Sequence, residues 1–303
     1  MLKYSIKRIL LAIVSIFIIM AIAFFSMNAI PGGPFAKEKA PEPAVKAVLE
    51  KRFNLDKPVA EQFMLYVGNI FRGDFGISLK NGREISTTIF ESFAISARLG
   101  GSSIILALVF GLLLGSIAAL TRNKWPDQVI VFFTTLSVGM PSFVLGTLLL
   151  LVFSLTLKWV PAWSVNSQNY VLPIIALSLY PTAHITRLTK SSLLDVLGQD
   201  YIRTARAKGV SKKIVIIKHA LRNALIPVVT YIGPLTAYSL TGSMVIETIF
   251  TIGGLGTKFV TGITNQDYPM IMGTTIFLAI LMVIMTLISD LLYRAIDPRI
   301  NFD

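Results

Sequence analysis

Long uncharged stretches recur along the chain and determine the elements that it predicts. Six stretches of 22 residues or more contain no Asp, Glu, Lys or Arg. A helix needs roughly 20 mostly apolar residues to cross the hydrocarbon core of a bilayer, so each stretch predicts a membrane span. Trimmed of proline, glycine and polar ends, they predict spans over residues 9–30, 99–121, 129–157, 171–188, 223–246 and 269–291.

The third and fifth of these spans contain helix-breaking residues, and the first span of the six resembles a signal peptide. The third span is long enough to kink, and Gly139-Met140-Pro141 is the predicted place. The fifth contains Pro227, Gly233 and Pro234. The first has a basic start, but its apolar run is about twice the usual 7–15 residues of a signal peptide. A retained helix is therefore favoured.

Composition and charge fit a membrane protein. Apolar residues make up 54% of the 303 residues and charged residues 15%, against about 25% charged in an average soluble domain. This balance excludes a soluble enzyme and a nucleic-acid binder.

Loops on one side of the predicted spans carry sixteen basic residues, and the short loops on the other side carry two. The positive-inside rule therefore predicts a cytoplasmic tail 1–8, a cytoplasmic loop 189–222 and a cytoplasmic carboxyl tail. Most of the net charge of +12 follows from this orientation.

The segment 31–98 is predicted to lie outside the membrane on the opposite side. Pro31-Gly32-Gly33-Pro34 ends the first helix. The stretches Pro43–Phe53 and Pro58–Phe71 each open with proline and then place apolar residues at helical spacing. They predict short amphipathic helices that lie on the outer membrane face or on a partner. A solvated cap over the span ends is the alternative.

The segment 189–222 has the clearest local pattern. Asp200 is a good N-cap, and the octet Tyr201–Lys208 consists mostly of helix formers. Gly209 stands where a C′ glycine ends a helix, and a second helix over residues 212–222 follows. Small residues between cations suit an acidic or polar groove of another protein. From charge alone, a loop that fixes topology or binds anionic lipid is favoured.

Residues for catalysis or metal binding are scarce. The chain has no cysteine, and its two histidines, His184 and His219, are far apart and predicted to be structural. No nucleotide-binding or hydrolase motif occurs, and the predicted spans carry no charged residue in their central parts. Hydroxyl groups are dense in the fifth span, where Thr230, Tyr231 and Tyr238 suit either a polar pathway or helix packing.

Two runs in the basic segment carry a family resemblance. Tyr201–Gly209 and His219–Pro227 resemble the cytoplasmic loop of bacterial ABC importer permeases of the oligopeptide/dipeptide/nickel group, more narrowly of the oligopeptide permease B type. The resemblance covers nearly the whole chain, including Pro31–Pro34, Asn54–Pro58, Gly73–Gly76, Gly253–Gly256 and Asp297–Arg299.

The resemblance implies an all-α polytopic membrane protein with the six transmembrane helices of the type I ABC importer permease fold. It implies a non-catalytic subunit of the bacterial cell membrane that forms half of a translocation pathway for oligopeptides. The implied partners are a homologous second permease subunit, two cytosolic ATPases that bind ATP and Mg, and an extracytoplasmic lipoprotein that binds the substrate. No cofactor or metal is implied for this chain, and the segment 31–98 is expected to help dock the binding protein.

The resemblance also assigns roles to residues. It implies ATPase-coupling residues Asp200, Tyr201, Arg203, Thr204, Ala205, Arg206, Ala207, Lys208 and Gly209. Ala205 and Ala207 are expected to be buried in a groove of one ATPase. Arg203 stands where other importers have a glutamate that can pair with the ATPase, which predicts an acidic partner residue here. A dipeptide, nickel or metallophore importer remains open, and a stand-alone carrier or channel is the alternative of another class.

Overall fold

The computed structural model describes residues 2–29, 56–240 and 242–296, with side chains from residue 8 to 288 except at 237. The described chain is helical, apart from loops and a single bridge between Ile77 and Glu84. The helices are α1 Leu2–Asn28, α2 Val59–Phe71, α3 Ile85–Leu120, α4 Trp125–Gly139, α5 Ser142–Leu149, α6 Val171–Leu197, α7 Asp200–Ala207, α8 Lys212–Ile214, α9 Leu221–Ala224, α10 Ile226–Leu240, α11 Met244–Ile249, α12 Leu255–Asn265 and α13 Tyr268–Ile296. π-Helical turns extend α5 over Leu150–Thr156 and join α8 to α9 over Val215–Ala220.

Four helices of the described chain, α1, α3, α6 and α13, are long and apolar enough to cross a membrane. Two bent pairs reach that length only when their halves are joined. One is Trp125–Gly139 with Ser142–Thr156, bent by 108°, and the other is Lys212–Ala224 with Ile226–Ile249, bent by 48°. The described residues thus hold four to six candidate spans, and the number six stays a prediction.

The larger bend lies at the predicted kink. Met140 has extended backbone angles (φ −96°, ψ 135°), and Pro141 follows it as the N-cap of α5. A residue before proline is driven out of the α region by the proline ring, so α4 ends here. The predicted kink at Gly139-Met140-Pro141 is confirmed.

The chain divides into two compact units. The first comprises residues 1–95 and 253–284. Its largest buried cluster joins α1, α2 and α13, through Met20, Phe24, Met27, Phe63, Val67, Met272 and Ile276. The rings of Phe24 and Phe63 lie 5.4 Å apart between centroids. The expectation that α2 lays its apolar face on the membrane or on a partner is therefore corrected, because Phe63 and Val67 are buried within the chain itself. Pro43–Phe53 lies outside the described residues.

A buried carboxylate stabilises the loop between α2 and α3 in the same unit. Asp267 is 4% exposed and accepts hydrogen bonds from the Oγ of Ser78 and, at 3.1 Å, from the backbone N–H of Leu79. The helix α13 packs closely on the start of α3 at Gly273, because a Cβ added there would lie 2.6 Å from the Cγ2 of Ile85. These contacts hold the start of α3 against α13.

The second unit comprises residues 96–252 and 285–301, and close packing of α3 on α6 forms part of its core. An added Cβ at Gly111 would lie 2.6 Å from the Cγ2 of Ile185, and one at Gly115 would lie 2.6 Å from the carbonyl oxygen of Thr186. Small residues four apart allow helix backbones to approach closely in membrane proteins. Gly111 and Gly115 therefore determine how closely α3 packs against α6.

The helices α3 and α6 extend furthest beyond the predicted spans. α3 begins at Ile85 rather than near residue 99, and α6 ends at Leu197 rather than near residue 188. No glycine or proline interrupts α6 after Pro181, and Leu193 near its end is completely buried. The first nine residues of the predicted loop 189–222 therefore continue α6 as helix.

Candidate functional site

The short helix α7 is stopped by a glycine in the left-handed region. Gly209 has φ +77°, and the backbone N–H groups of Gly209 and Val210 donate to the carbonyl oxygens of Arg206 and Ala205 at 3.0 and 3.2 Å. This is the Schellman arrangement, which a glycine at C′ accommodates without strain. The predicted end of the helix at Gly209 agrees with this geometry.

The start of α7 differs by one residue from the predicted cap. Gln199 is the N-cap, with extended backbone and no side-chain capping bond, and Asp200 is the first helical residue. The carboxylate of Asp200 instead faces Arg203 Nη1 at 3.3 Å. That pair is largely exposed to solvent, so it contributes little to stability. In the first turn Asp200 also interacts favourably with the helix dipole.

One face of α7 is fixed to its own chain. Ile202 is completely buried in a cluster with Ala119, Leu193, Val215, Ala220 and Ala224. Asn223 Nδ2 donates to the hydroxyl oxygen of Tyr201 at 2.8 Å. Ala205 is half-buried against the same cluster, so the chain itself covers part of a residue that was expected in an ATPase groove. Ala207 is exposed.

The other face of α7 is exposed and basic. Its exposed residues include Arg203, Thr204, Arg206, Ala207 and Lys208, and Lys212 and Lys213 follow at the start of α8. Asp200 is the one acid on α7. A surface of several cations around one small side chain is suited to a groove lined by carboxylates.

The candidate pathway residues are exposed to different degrees. Thr230 and Tyr238 are exposed and stand eight residues apart on α10, in the same row as the exposed Ile226 and Pro234. Tyr231 is half-buried, because its ring lies 4.3 Å from the imidazole of His184 between centroids. Thr230 and Tyr238 thus lie on an open face, whereas Tyr231 links α10 to α6.

Near that link, Tyr180 and Arg187 were not singled out from the sequence, and His184 was predicted to be structural. His184 also stacks on Tyr180 of α6, with the two rings 6.5 Å apart and inclined by 20°. One turn further along α6, Arg187 donates from Nη2 to the Oγ1 of Thr135 at 2.9 Å. The spacing Tyr180, His184, Arg187 on one helical face could have indicated this row.

A partly buried ion pair lies next to this row. Lys190 Nζ lies 2.5 Å from the Oδ1 of Asp127, and Asp127 is only 5% exposed. The backbone N–H of Asn123 donates to the second carboxylate oxygen at 3.0 Å. Asp127 is thus held at the start of α4 by α6 and by the preceding turn, and the pair is a structural anchor.

A second buried carboxylate lies one residue beyond the predicted fifth span. Glu247 in α11 is completely buried, and Ser96 Oγ donates to its Oε1 at 2.7 Å. Ser96 is 151 positions away along the chain. Glu247 was not recognised as a buried group from the sequence, because its partner comes from a distant helix.

A cavity of about 610 Å³ lies in the first unit, between α1, α2, the following loop and the start of α13. The hydroxyl groups of Tyr66 and Tyr268 are buried at its wall without a hydrogen-bond partner among the described residues. Burial raises the pKa of Tyr66 above its ordinary value. In the part of the chain that the structure describes, no three His, Asp or Glu side chains stand together as metal ligands.

Two family descriptions match almost the whole chain. Residues 111–302 match the binding-protein-dependent transport system inner membrane component, and residues 1–100 match the N-terminal part of such membrane components. The match to the first description alone covers more than half of the chain and includes α7, α10 and α11.

Curated relatives are similar over their full length. The dipeptide transport system permease protein DppB of Bacillus subtilis is 45% identical, over 99% of this chain and 98% of that protein. The oligopeptide transport system permease protein OppB of Haemophilus influenzae and that of Escherichia coli K12 are each 40% identical, over 100% of both chains.

Solved structures with a similar fold are more distant. The MetNI methionine ABC transporter in an inward-facing conformation aligns with a TM-score of 0.54 at 16% identity, over 69% of this chain and 95% of that chain. An amino acid ABC transporter with histidines aligns with a TM-score of 0.51 at 15% identity, over 71% and 95%. The similarity assigns the all-α fold of type I ABC importer permeases to this chain.

Proposed function

Because this chain belongs to the family of binding-protein-dependent transport system inner membrane components, we propose that it is the permease subunit of an ATP-driven importer of oligopeptides. The observation that carries the proposal is its full-length similarity to peptide permeases at 40–45% identity. It would form half of a translocation pathway, while ATP hydrolysis takes place on separate subunits.

The coupling element in this proposal is α7 with its exposed cations. The basic face around Ala207 is presented to a groove on a cytosolic ATPase, where acidic residues pair with Arg203, Arg206 and Lys208. Ile202 is buried in the chain's own cluster, so a force on α7 is passed to α9 and from there to α10. Gly209 sets the bend between α7 and the helix that follows.

Further partners follow from the same proposal. A homologous second permease subunit forms the other half of the pathway, and an extracytoplasmic lipoprotein delivers the substrate. Both termini and α7 lie on the cytoplasmic side, as the distribution of basic residues supports. The segment 31–98, which includes α2, lies on the outer side and helps to dock the binding protein.

The pathway is proposed to run along the exposed face of α10. Thr230 and Tyr238 offer hydroxyl groups there, and Tyr231 lies beside them. A peptide backbone needs hydrogen-bond donors and acceptors along an otherwise apolar route. α10 supplies these groups without placing an ionised side chain of its own within the span.

Substrate class is tested by uptake in a strain that lacks only this subunit and carries it on a plasmid. Labelled dipeptides, tri- to pentapeptides and nickel ions are compared with and without the plasmid. Restored uptake of the longer peptides supports the proposal. Restoration of dipeptides alone would favour a dipeptide importer, which the 45% identity to a dipeptide permease supports. Restoration of nickel uptake alone would overturn both.

A further inference from the structure

Two polar side chains lie in the second half of α6, towards the end that the predicted span 171–188 places on the cytoplasmic side. Because an α-helix rises 1.5 Å per residue, His184 lies about 20 Å and Arg187 about 24 Å from the first residue of this candidate span. The hydrocarbon core of a bilayer is about 30 Å thick. Ionisable side chains within a span or at its end face water, protein or a substrate path rather than lipid tails. This row of α6 therefore needs a polar environment.

The charge of Arg187 is not neutralised within the described chain. Its guanidinium is exposed and donates to the hydroxyl of Thr135 on α4. The charge of Lys190, one turn further along α6, is neutralised, because the carboxylate of Asp127 pairs with it. A guanidinium has five N–H donors in a planar fork that matches a carboxylate. Arg187 thus has both the charge and the free donors to bind an anion.

An aromatic wall adjoins this cation. Tyr180 is 50% exposed and stacks on His184, which in turn contacts Tyr231 of α10. Such a surface tolerates side chains of many shapes, since aromatic faces pack against apolar and polar groups alike. Thr230, beside Tyr231, adds an exposed hydroxyl. Cation, aromatic faces and hydroxyl groups together match the end of a peptide.

We infer that Arg187 binds the terminal carboxylate of a peptide in transit, while Tyr180, His184 and Tyr231 contact the residues before it. The inference rests on the proposed function, since it assumes that a peptide passes this face. A lipid phosphate would also satisfy the charge of Arg187. The aromatic wall beside it favours the peptide, because the side chains of a peptide can pack on these rings, whereas a lipid phosphate uses only the cation.

Accessibility gives the first test, because the chain has no cysteine of its own. Thr135→Cys places a thiol within contact distance of Arg187, in the complete complex reconstituted in lipid vesicles. Anionic and cationic methanethiosulfonates of equal size are compared. We expect the anionic reagent to react faster, and Arg187→Gln to lower the ratio of the two rates about tenfold. Arg122→Gln, which removes an exposed cation in the turn before α4, is the matched control and should leave the ratio unchanged.

Peptide transport gives the second test. Uptake of a labelled tripeptide with a free carboxyl terminus is compared with uptake of its amide, each delivered by the same binding protein. Arg187→Gln should lower uptake of the free acid about tenfold, the expected size of one charged hydrogen bond. Uptake of the amide by the Arg187→Gln complex should equal uptake by the unaltered complex. Arg187→Lys should recover part of the lost uptake of the free acid.

The outcomes separate the inference from the function on which it rests. Failure of the unaltered complex to take up any peptide would overturn the proposed function. Normal peptide uptake together with equal free-acid uptake in Arg187→Gln and Arg122→Gln would overturn the inference alone. A thiol at position 135 that resists both reagents in every nucleotide state would also overturn it, and would place lipid or a partner subunit against Arg187.

Discussion

Asn223 donates a hydrogen bond from its Nδ2 to the hydroxyl oxygen of Tyr201 at 2.8 Å, and so ties α7 to the helix that continues into α10. A hydrogen bond of this kind contributes about 0.5–1.5 kcal/mol to stability. We expect Tyr201→Phe and Asn223→Ala each to lower the thermal midpoint of the purified complex slightly. The double variant should show less than the sum of the two losses, because both changes remove the same bond. Strictly additive losses would show that the pair is not coupled.

The two alanines of α7 should respond differently to a bulky residue. Ala205 packs on the chain's own cluster, so Ala205→Trp should overpack it and cost about 1–3 kcal/mol of stability. Ala207 is exposed, so Ala207→Trp should leave the thermal midpoint of the permease unchanged and reduce co-purification of the ATPase. Thermal unfolding and co-purification are measured on the same preparations. Normal ATPase binding by Ala207→Trp would show that α7 is only a topological anchor.

The stability lost on substituting Gly209 should depend on how readily the new residue adopts the left-handed backbone region. Its φ is +77°, and nothing lies within 4 Å of an added Cβ, so backbone strain is the main effect. Gly209→Ala should cost roughly 1–2 kcal/mol, and Gly209→Asn less, because asparagine visits this region more readily. Gly198→Ala is the control, since Gly198 ends α6 with φ −81°. A higher thermal midpoint for Gly209→Ala than for Gly209→Asn would contradict the predicted strain.

Close packing of α3 on α6 makes a further prediction. Gly115→Ala would bring a Cβ to 2.6 Å from the carbonyl oxygen of Thr186, and the overpacking should cost about 1–3 kcal/mol. Gly101→Ala in the same helix meets nothing within 4 Å, so it should be neutral or stabilising, as alanine favours helix. The measurement is the thermal midpoint of each variant in detergent. Equal midpoints would mean that the helices can move apart at no cost.

Local features of the fold could be predicted from the sequence. The end of α7 at Gly209 and the break before Pro141 each depend on one residue with restricted or unusual backbone freedom. The helical octet predicted over Tyr201–Lys208 follows from propensity, and the structure begins that helix one residue earlier, at Asp200. The sequence predicted Asp200 as the N-cap, whereas the N-cap in the structure is the preceding residue, Gln199. Helix ends commonly differ by one residue in this way.

Features that depend on distant residues could not be predicted. Glu247 meets Ser96 across 151 positions, and Arg187 meets Thr135 across 52. His184 was interpreted as structural, but its ring contacts with Tyr180 and with Tyr231 of α10 could not be predicted. The apolar face of α2 was expected on the membrane or on a partner, because periodicity shows that a face is buried but not what covers it. Packing against α1 supplies that answer.

The central claim, that this chain couples ATP hydrolysis to peptide import through α7, is tested most directly in vesicles that hold the complete complex. The vesicles contain both permease subunits and the ATPases, with ATP inside and peptide-loaded binding protein outside. Labelled peptide should accumulate only when ATP and binding protein are both present. Ala207→Trp should abolish accumulation while the protein inserts normally. Accumulation driven by a proton gradient without ATP, or undiminished by Ala207→Trp, would contradict the account.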